Sequence, residues 1–471
     1  IRRPPRSTQS RSSAASDVYK RQVLGFMIVY VTIFDAKLDF GGDNAGYYIL
    51  GKSIITGQGY TDLHLPGANA ANHFPPGYPV ILSLMMTISD NFIFLKIING
   101  LLFLFSLLIL QRIFERMTQQ KSIAWIALLF TLLNSHLLRS STIIMSEIPF
   151  LFFSLAALSC LIKYTDEEFP FWRSKWFWSL IVLCAISYHI RTAGLALIAG
   201  VIFYLASQKK WKVVVSFASG VVLLSLPWFL RGKRLGGNSY LTQLIQNNPY
   251  RPEDGVLTIS GWGDRILDNL FRYVNQEIPN GLFPNFEVFY STEEPKGYLL
   301  YGLIILFFII IGSIKMPKLK MMWLGYLLAS AFIFLLWPSV WFGVRFMQPL
   351  IPFLLLSLVM GLSVSLKWIQ IKYFGAFTPK SIYILVIIGL LPLSSLKTLR
   401  IESQYPVELE YANYFNIGRY AGNSIPESSI VCTVKPSLFY LHSSRTSSRI
   451  PSLIDKNDFC LLYTSPSPRD S

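Results

Sequence analysis

Two carboxylates stand out because of the sequence around them. Asp43 follows two glycines in GGDNAGYYILGKSII, and Glu147 lies among apolar residues in STIIMSEIPFLFF. An acid at membrane depth is costly to bury, which makes it a functional hypothesis. Two carboxylates in one site could act as general bases or hold a divalent cation. Each also has a structural alternative as a helix cap, with Ser146 or Glu147 starting a helix ahead of Pro149.

Two arginines lie in similarly apolar surroundings. Arg191 occurs in SYHIRTAGLAL and Arg345 in WFGVRFMQPLIPF. The planar guanidinium group suits phosphate, whereas the structural alternative is that each side chain extends towards lipid headgroups. If both arginines and both carboxylates converge on the outer face of one helical bundle, the set suits attack on a sugar–phosphate bond in a lipid-borne donor.

Other chemical signatures are missing from the sequence. It contains no phosphate-binding P-loop, dinucleotide-binding glycine motif, zinc-protease motif or nucleophile elbow. An ATP-driven pump and a serine hydrolase therefore lack support. Four widely spread cysteines give neither a disulfide framework nor a metal-finger spacing.

The composition defines the class of protein that must position these residues. Of the 471 residues, 52% are hydrophobic and only 14% are charged, and the mean hydropathy is +0.44. These values exclude a soluble enzyme, a disordered chain and a coiled coil. Apolar runs of nearly the ~20 residues that span a bilayer predict an all-α polytopic membrane protein with about eleven transmembrane helices. The runs lie near 23–34, 93–110, 122–138, 148–162, 176–190, 192–207, 213–230, 298–314, 321–341, 346–366 and 381–396.

The cations indicate which loops face the cytoplasm. Alternate short loops carry one arginine each, whereas five other loops carry three cations each. The positive-inside rule places those five in the cytoplasm, so the formal charge of +16 needs no nucleic-acid partner. The cytoplasmic cations are Arg112, Arg116, Lys121, Lys163, Arg173, Lys175, Lys209, Lys210, Lys212, Lys315, Lys318, Lys320, Lys367, Lys372 and Lys380.

This orientation gives a domain plan. A transmembrane domain is predicted over 23–396, with long outer loops over 35–92 and 231–297. The region 397–459 is predicted to form a small extracytoplasmic α/β cap, because SSIVCTV at 428–434 reads as a strand and Pro436 as a helix start. The short apolar run 77–89 is expected to lie in the interface or to re-enter the membrane.

The two ends read as translated sequencing adapters. DVYKRQ, which ends the segment 1–22, and CLLYTS, which begins the segment 460–471, can be encoded by the two strands of one inverted DNA element. Both segments are therefore excluded from fold reasoning, and the native ends are expected to be missing.

The chain resembles the GT-C glycosyltransferases of the protein-O-mannosyltransferase-like group, glycosyltransferase family 39, to which the lipid A aminoarabinose transferases are related. The resemblance covers 23–459 and is carried by Asp43, by HFPPGYPV at 73–80, by MSEIPF around Glu147 and by RFMQPLIPF around Arg345. Some family members have adjacent Asp-Glu in the first loop, whereas Asn44 follows Asp43 here. The broader bacterial group is therefore favoured over a protein mannosyltransferase.

The resemblance implies a sugar donor on polyprenyl phosphate, an extracytoplasmic acceptor (lipid, glycan or protein) and inverting displacement, at a bacterial inner membrane. Asp43 would be the base or a cation ligand, and Glu147 would orient the acceptor or complete a divalent-cation site. Arg191 and Arg345 would bind the leaving phosphate. His73, Tyr78 and Lys52 are further loop contacts.

Two other functions compete with this interpretation. A transporter or flippase of lipid-linked sugars would bind the same headgroup without catalysis, but it predicts polar residues at the bilayer midplane. The predicted helices are nearly free of charge at their centres. A scaffold in envelope assembly would leave the outer acids without a role.

Overall fold

The computed structural model describes residues 20, 22–38, 42–236, 239–286, 288, 297–369 and 393–449. Nearly all of both terminal segments, and most of the predicted last helix at 381–396, lie outside these residues. The described chain is mostly helical and divides into two compact units. The first unit comprises Ile1–Leu38 with Asn72–Tyr405, and the second comprises Asp39–Ala71 with Pro406–Ser471.

Most helices of the first unit follow the predicted apolar runs, but three of them lie in the predicted outer loop 231–297. They are α1 (Gln22–Ile33), α3 (Gly77–Met86), α4 (Phe92–Thr118), α5 (Lys121–Leu132), α6 (Ser135–Ser141), α7 (Glu147–Thr165), α8 (Lys175–Ile190), α9 (Gly194–Ser207), α10 (Trp211–Arg234), α11 (Ser239–Ile245), α12 (Ile259–Arg272), α13 (Ile278–Leu282), α14 (Leu299–Ile314), α15 (Lys320–Leu336), α16 (Ile351–Ile369) and α17 (Leu393–Gln404). A π-helix over Tyr273–Glu277 connects α12 to α13, and short 3-10 turns occupy Phe171–Arg173, Pro252–Asp254, Val344–Phe346 and Gln348–Leu350.

Several helices have the length and composition of membrane spans. Among the described residues, α4, α7, α10 and the stretch Gln348–Trp368 are long and apolar enough to cross a bilayer. The bent pair α5 and α6 would make a fifth span, and α1, α3, α8, α9, α14 and α15 are shorter apolar helices. The chain is therefore an integral membrane protein by composition, while the count of about eleven helices stays a prediction.

The run 122–138 is one predicted helix but two observed ones. The chain bends by 59° between α5 and α6. Asn134 lies at the break, where its side-chain oxygen accepts a hydrogen bond from the Leu137 amide and its amide group donates to the Gly281 carbonyl oxygen. Asparagine is a preferred helix cap, so it starts a new helix inside an apolar run. The break places α6 beside the turn that follows Arg345, where Ser140 Oγ donates to Gln348 Oε1.

Helices α14 and α16 pack closely at glycines. A methyl group on Gly312 would collide with the Ser357 carbonyl oxygen, and one on Gly361 would collide with the Phe308 carbonyl oxygen. Small residues at such crossings let membrane helices approach each other. The α14–α16 contact helps to hold α16 in place, and Arg345 lies just ahead of α16.

We expect Gly312→Ala to destabilise the protein by about 1–3 kcal/mol, the usual cost of overpacking. The loss should appear as a lower unfolding temperature in detergent. Gly25→Ala in α1 is the matched control, because nothing lies within 4 Å of its added methyl group. Alanine is the better helix former, so the control should be neutral or stabilising. Equal unfolding temperatures for the two variants would contradict the close packing.

The second unit joins part of the first long loop to the C-terminal region. It contains α2 (Gly42–Ile55), α18 (Leu409–Ser424) and α19 (Pro436–Ser443). Strands β1 (Val431–Thr433) and β2 (Ser447–Arg449) pair in parallel, with Cys432 opposite Ser448. Helix α2 packs on α19, and the Ser447 amide donates to the His64 carbonyl oxygen at 2.7 Å. Whether this unit caps an outer face stays a prediction.

Candidate active site

Glu147 is the centre of a buried ion cluster in the first unit. Its side chain is 2% exposed, and its Oε1 accepts hydrogen bonds from Arg191 Nη1 at 2.6 Å and from Arg345 Nε at 3.3 Å. Arg191 Nη1 also donates to Ser146 Oγ at 3.0 Å. Glu147 Oε2 is buried without a hydrogen-bond partner among the described residues. The structure therefore joins three of the four residues that sequence reasoning selected.

The cap alternative for Glu147 does not describe its contacts. Helix α7 begins at Glu147, and Ser146 precedes it with helical backbone angles and no capping hydrogen bond from its side chain. The carboxylate instead accepts hydrogen bonds from two distant arginines. A buried charge needs partners of this kind, because an unpaired one is strongly destabilising.

The ends of two helices position Arg191. It follows α8 in extended conformation, with φ −147° and ψ 137°, and its amide still donates to the Ser187 carbonyl oxygen. Gly194 begins α9 against the end of α8, where an added methyl group would lie 2.6 Å from the Tyr188 backbone nitrogen. This tight turn fixes the Arg191 backbone, and only 10% of its side chain is exposed.

Arg345 lies in the 3-10 turn Val344–Phe346 and is the more accessible arginine, with 38% of its side chain exposed. Its guanidinium carbon also lies 5.6 Å from the centre of the Phe346 ring. Helix α6 holds the next 3-10 turn, Gln348–Leu350, because Ser140 Oγ donates to Gln348 Oε1 at 2.7 Å. The cluster thus joins one carboxylate to two cations, and Arg345 is the more exposed of the two.

Glu277 is a second buried acid that sequence reasoning missed. Its side chain is 1% exposed, and its Oε1 accepts the Gly343 amide hydrogen bond at 2.8 Å. Gly343 has φ +109°, which favours glycine. Glu277 therefore fixes the backbone two residues before Arg345. The signal was available, because Glu-Ile-Pro occurs at 147–149 and again at 277–279.

We expect Glu277→Ala to lower kcat/KM about tenfold, because a hydrogen bond to a charged group contributes about 1.5–3 kcal/mol. Glu277→Gln should keep most of the activity, since its amide oxygen can still accept the Gly343 hydrogen bond. If Glu277 acts through Arg345, Arg345→Ala should add little to the Glu277→Ala deficit. Additive losses, or equal losses for Ala and Gln, would contradict this positioning role.

An open cavity lies beside the backbone segment that carries Arg191. It holds about 470 Å³ of empty space, including the part open to solvent. Its walls mix aromatic rings with polar groups from three segments: Asn72, Phe74, Pro75, Tyr188, His189, Thr192, Trp228, Phe229 and Gly232. Tyr188, His189 and Thr192 flank Arg191 in the chain, so the cavity adjoins the backbone that carries this residue. His73, a predicted loop contact, lies in the chain between Asn72 and Phe74, which line the cavity.

The remaining candidates are distributed between the units. Exposed His73 contacts the Phe74 ring at 4.3 Å, and buried Tyr78 lies in α3, which packs on α8. Asp43 lies in the first turn of α2 and Lys52 in its last turn, so both belong to the second unit. That Asp43 acts together with Glu147 stays a prediction.

The described residues offer little support for a divalent cation. Among them, no group of three or more His, Cys, Asp or Glu side chains could hold a metal ion. Glu147 does not fit as a ligand, because two guanidinium groups already bind its Oε1 and would repel a cation. We therefore derive no chemical step through a metal, and a cation at Asp43 stays a prediction.

Comparison with solved structures defines the fold. ArnT from Cupriavidus metallidurans bound to undecaprenyl phosphate matches with a TM-score of 0.58 and 10% identity, covering 95% of this chain and 88% of that chain. The archaeal oligosaccharyltransferase AglB from Archaeoglobus fulgidus, in complex with an inhibitory peptide and a dolichol-phosphate, also matches with a TM-score of 0.58, at 12% identity over 92% of this chain. The chain spans 64% of the AglB chain. Another structure of the A. fulgidus enzyme, a complex with Zn and sulfate, has a TM-score of 0.56 and 13% identity, covering 90% of this chain and 62% of that chain.

These matches identify a GT-C glycosyltransferase fold, as predicted. Residues 70–233 match the family model of dolichyl-phosphate-mannose-protein mannosyltransferases, which confirms the resemblance drawn from the sequence. No curated protein sequence matches the chain significantly. The matched segment includes HFPPGYPV, Glu147 and Arg191. The family match covers this segment of the chain, and the solved structures share the fold of the chain.

Proposed function

We propose that the protein transfers a sugar from a polyprenyl-phosphate donor to an extracytoplasmic acceptor, which could be a lipid, a glycan or a protein. The observation that carries this proposal is the buried Glu147 cluster, which holds two arginines. One of them, Arg191, is next in the chain to residues that line an open cavity. The structural neighbours add support, because ArnT binds undecaprenyl phosphate and AglB binds a dolichol-phosphate.

The charges of the cluster favour an anionic ligand. Two guanidinium groups meet at one oxygen of a single carboxylate, which concentrates hydrogen-bond donors for an anion there. Arg191 is almost fully buried, whereas Arg345 exposes 38% of its side chain, and a guanidinium group suits the geometry of a phosphate. We assign Arg345 the direct contact with the donor phosphate. Arg191 supports this contact indirectly, because it binds Glu147, which also binds Arg345.

The proposed reaction is a direct displacement. An acceptor oxygen attacks the anomeric carbon of the sugar while the bond from that carbon to the phosphate oxygen breaks. The bonding electron pair leaves with the polyprenyl phosphate, and the acceptor proton passes to the Asp43 carboxylate. The arginines stabilise the negative charge that grows on the leaving phosphate. Attack opposite the leaving group inverts the anomeric centre.

Arg345→Ala should lower kcat/KM for the donor by roughly tenfold to a hundredfold, in part through a higher donor KM. The reason is that a charge-assisted hydrogen bond to phosphate contributes about 1.5–3 kcal/mol. Arg139→Ala is the control, since Arg139 forms an exposed ion pair with Glu402 and its side chain is 55% exposed. Steady-state rates over a range of donor concentrations distinguish the two variants. Similar donor dependence in both would refute the role of Arg345.

The test of the proposed function is a donor panel. Purified protein in lipid is offered polyprenyl phosphates that carry different sugars, with envelope extract as acceptor, and the released polyprenyl phosphate is quantified. Release with one donor, lost in Asp43→Asn, establishes a lipid-dependent transferase and identifies the sugar. No release from any donor, with donor binding intact in both proteins, would favour the flippase.

A further inference from the structure

Helix α12 turns its polar side chains towards the protein. Asn269 donates to the carbonyl oxygens of Leu335 at 2.9 Å and Trp337 at 2.8 Å, at the C-terminal end of α15. Arg265, which is 4% exposed, donates to the Leu244 carbonyl oxygen at 2.7 Å and the Gln246 carbonyl oxygen at 2.5 Å. The last carbonyl groups of a helix lack partners within it. Asn269 therefore fastens α12 at the end of α15, and Arg265 fastens it to the end of α11.

The opposite face of α12 exposes large apolar side chains. Ile259, Leu267, Leu270 and Phe271 are 94%, 64%, 47% and 55% exposed. At about 100° per residue they fall within roughly a third of the helix circumference. The exposed Asp264 and Asp268 follow at one edge of this stripe. A stripe of this kind marks a contact surface, and its acidic edge marks the side that meets water.

The surroundings of α12 identify the partner. Apolar helix α15 begins at Lys320 in a loop of cations and ends near Trp337 and Trp341, as a helix that runs from the cytoplasmic side to an aromatic interface belt would. A helix laid across that end lies at the depth of the lipid headgroups. Both arginines of α12 are engaged with backbone carbonyl oxygens, so its exposed charges are two aspartates. Electrostatic attraction to anionic lipid would therefore not hold α12 at the membrane surface.

We propose that the lipid bilayer covers the apolar face of α12, which lies in the plane of the membrane surface and binds neutral lipid through apolar burial. The lipid contact of α12 also bears on the position of Arg345 in the Glu147 cluster. Arg272 at the end of α12 donates to the Ser339 carbonyl oxygen at 2.5 Å, and Glu277 binds the Gly343 amide. The segment anchored on lipid is thus the one that fixes the backbone before Arg345.

Fluorophores at two adjacent positions test this proposal. Leu267→Cys and Asp268→Cys are labelled in full-length protein in which exposed Cys432, together with Cys460, is replaced by serine; Cys160 and Cys184 are buried. The proteins are reconstituted in phosphatidylcholine whose acyl chains carry bromine near the glycerol. Quenching at 267 should exceed that at 268 at least about twofold, because such a face lies roughly 5–10 Å into the headgroup boundary. Anionic lipid should leave the ratio unchanged.

Three outcomes would overturn the proposal. Equal, weak quenching at both positions would show that lipid does not cover the face. Quenching at 267 that appears only with anionic lipid would mean that charge holds the helix. Quenching that falls as the protein-to-lipid ratio rises would show a second copy on the face. The pair Leu270→Cys and Asp264→Cys repeats the comparison if a first-pair variant fails to fold.

Discussion

Asp43→Asn should lower the rate of sugar transfer by roughly 10²–10⁴, the usual contribution of a positioned general base. Asparagine keeps the size of the side chain but cannot take the acceptor proton. The measurement is the initial rate of polyprenyl phosphate release at saturating donor and acceptor, with the unfolding temperature recorded alongside. The rate should collapse while the unfolding temperature stays close to that of the unchanged protein.

Glu410→Gln is the matched control for Asp43→Asn. Glu410 lies in the first turn of α18, as Asp43 does in α2, and both helices belong to the second unit. An acid in a first turn stabilises its helix by about 0.3–1 kcal/mol. Both variants lose that contribution, but only Asp43→Asn removes the proposed base. Normal turnover in Asp43→Asn, or an equal loss in Glu410→Gln, would refute the assignment.

Glu147→Gln should destabilise the protein by about 3–5 kcal/mol, the cost of removing one partner from a buried ion pair. Arg191 would keep its charge in a site with 10% exposure and would face Arg345 without the carboxylate. A large fall in the unfolding temperature is expected, together with weaker donor binding. Adding Arg191→Gln to Glu147→Gln should recover part of the stability, because it removes the uncompensated charge.

Glu402→Gln provides the comparison for Glu147. It breaks the ion pair with Arg139, whose two side chains are 45% and 55% exposed. Exposed pairs of this kind contribute about 0–1 kcal/mol. The two variants should therefore differ severalfold in destabilisation. If Glu147→Gln is no more costly than Glu402→Gln, the Glu147 cluster does not hold the arginines as described.

Sequence reasoning located the helices of the first unit well, because long apolar runs leave the chain few alternatives in a membrane. The observed α9, α10 and α14 lie within a few residues of their predicted runs. It missed the break at Asn134, because apolar residues continue on both sides of the short polar stretch 134–136. The Asn134 side chain caps the new helix by accepting a hydrogen bond from the Leu137 amide, and it also donates to Gly281 in the distant helix α13.

The site was predictable in its residue types but not in its pairings. Burial cost singled out Glu147, and the apolar surroundings singled out Arg191 and Arg345. Nothing in the sequence shows that both arginines bind Glu147 Oε1, since these contacts span 44 and 198 residues. The same limit hid Glu277, whose role depends on Gly343, 66 residues away. The chemical role of a single residue could be inferred from the sequence around it. Contacts between distant segments could be identified only from the folded structure.

The most direct test of the central claim uses a donor that carries one radioactive label in the sugar and another in the phosphate. Protein in lipid vesicles is given this donor with acceptor, and the two labels are followed separately. A transferase separates them: the sugar label appears on the acceptor, while the phosphate label stays with the polyprenyl chain. If both labels cross the bilayer together and remain on one molecule, the protein moves the lipid-linked sugar without cleaving it, and the assignment as a glycosyltransferase is wrong.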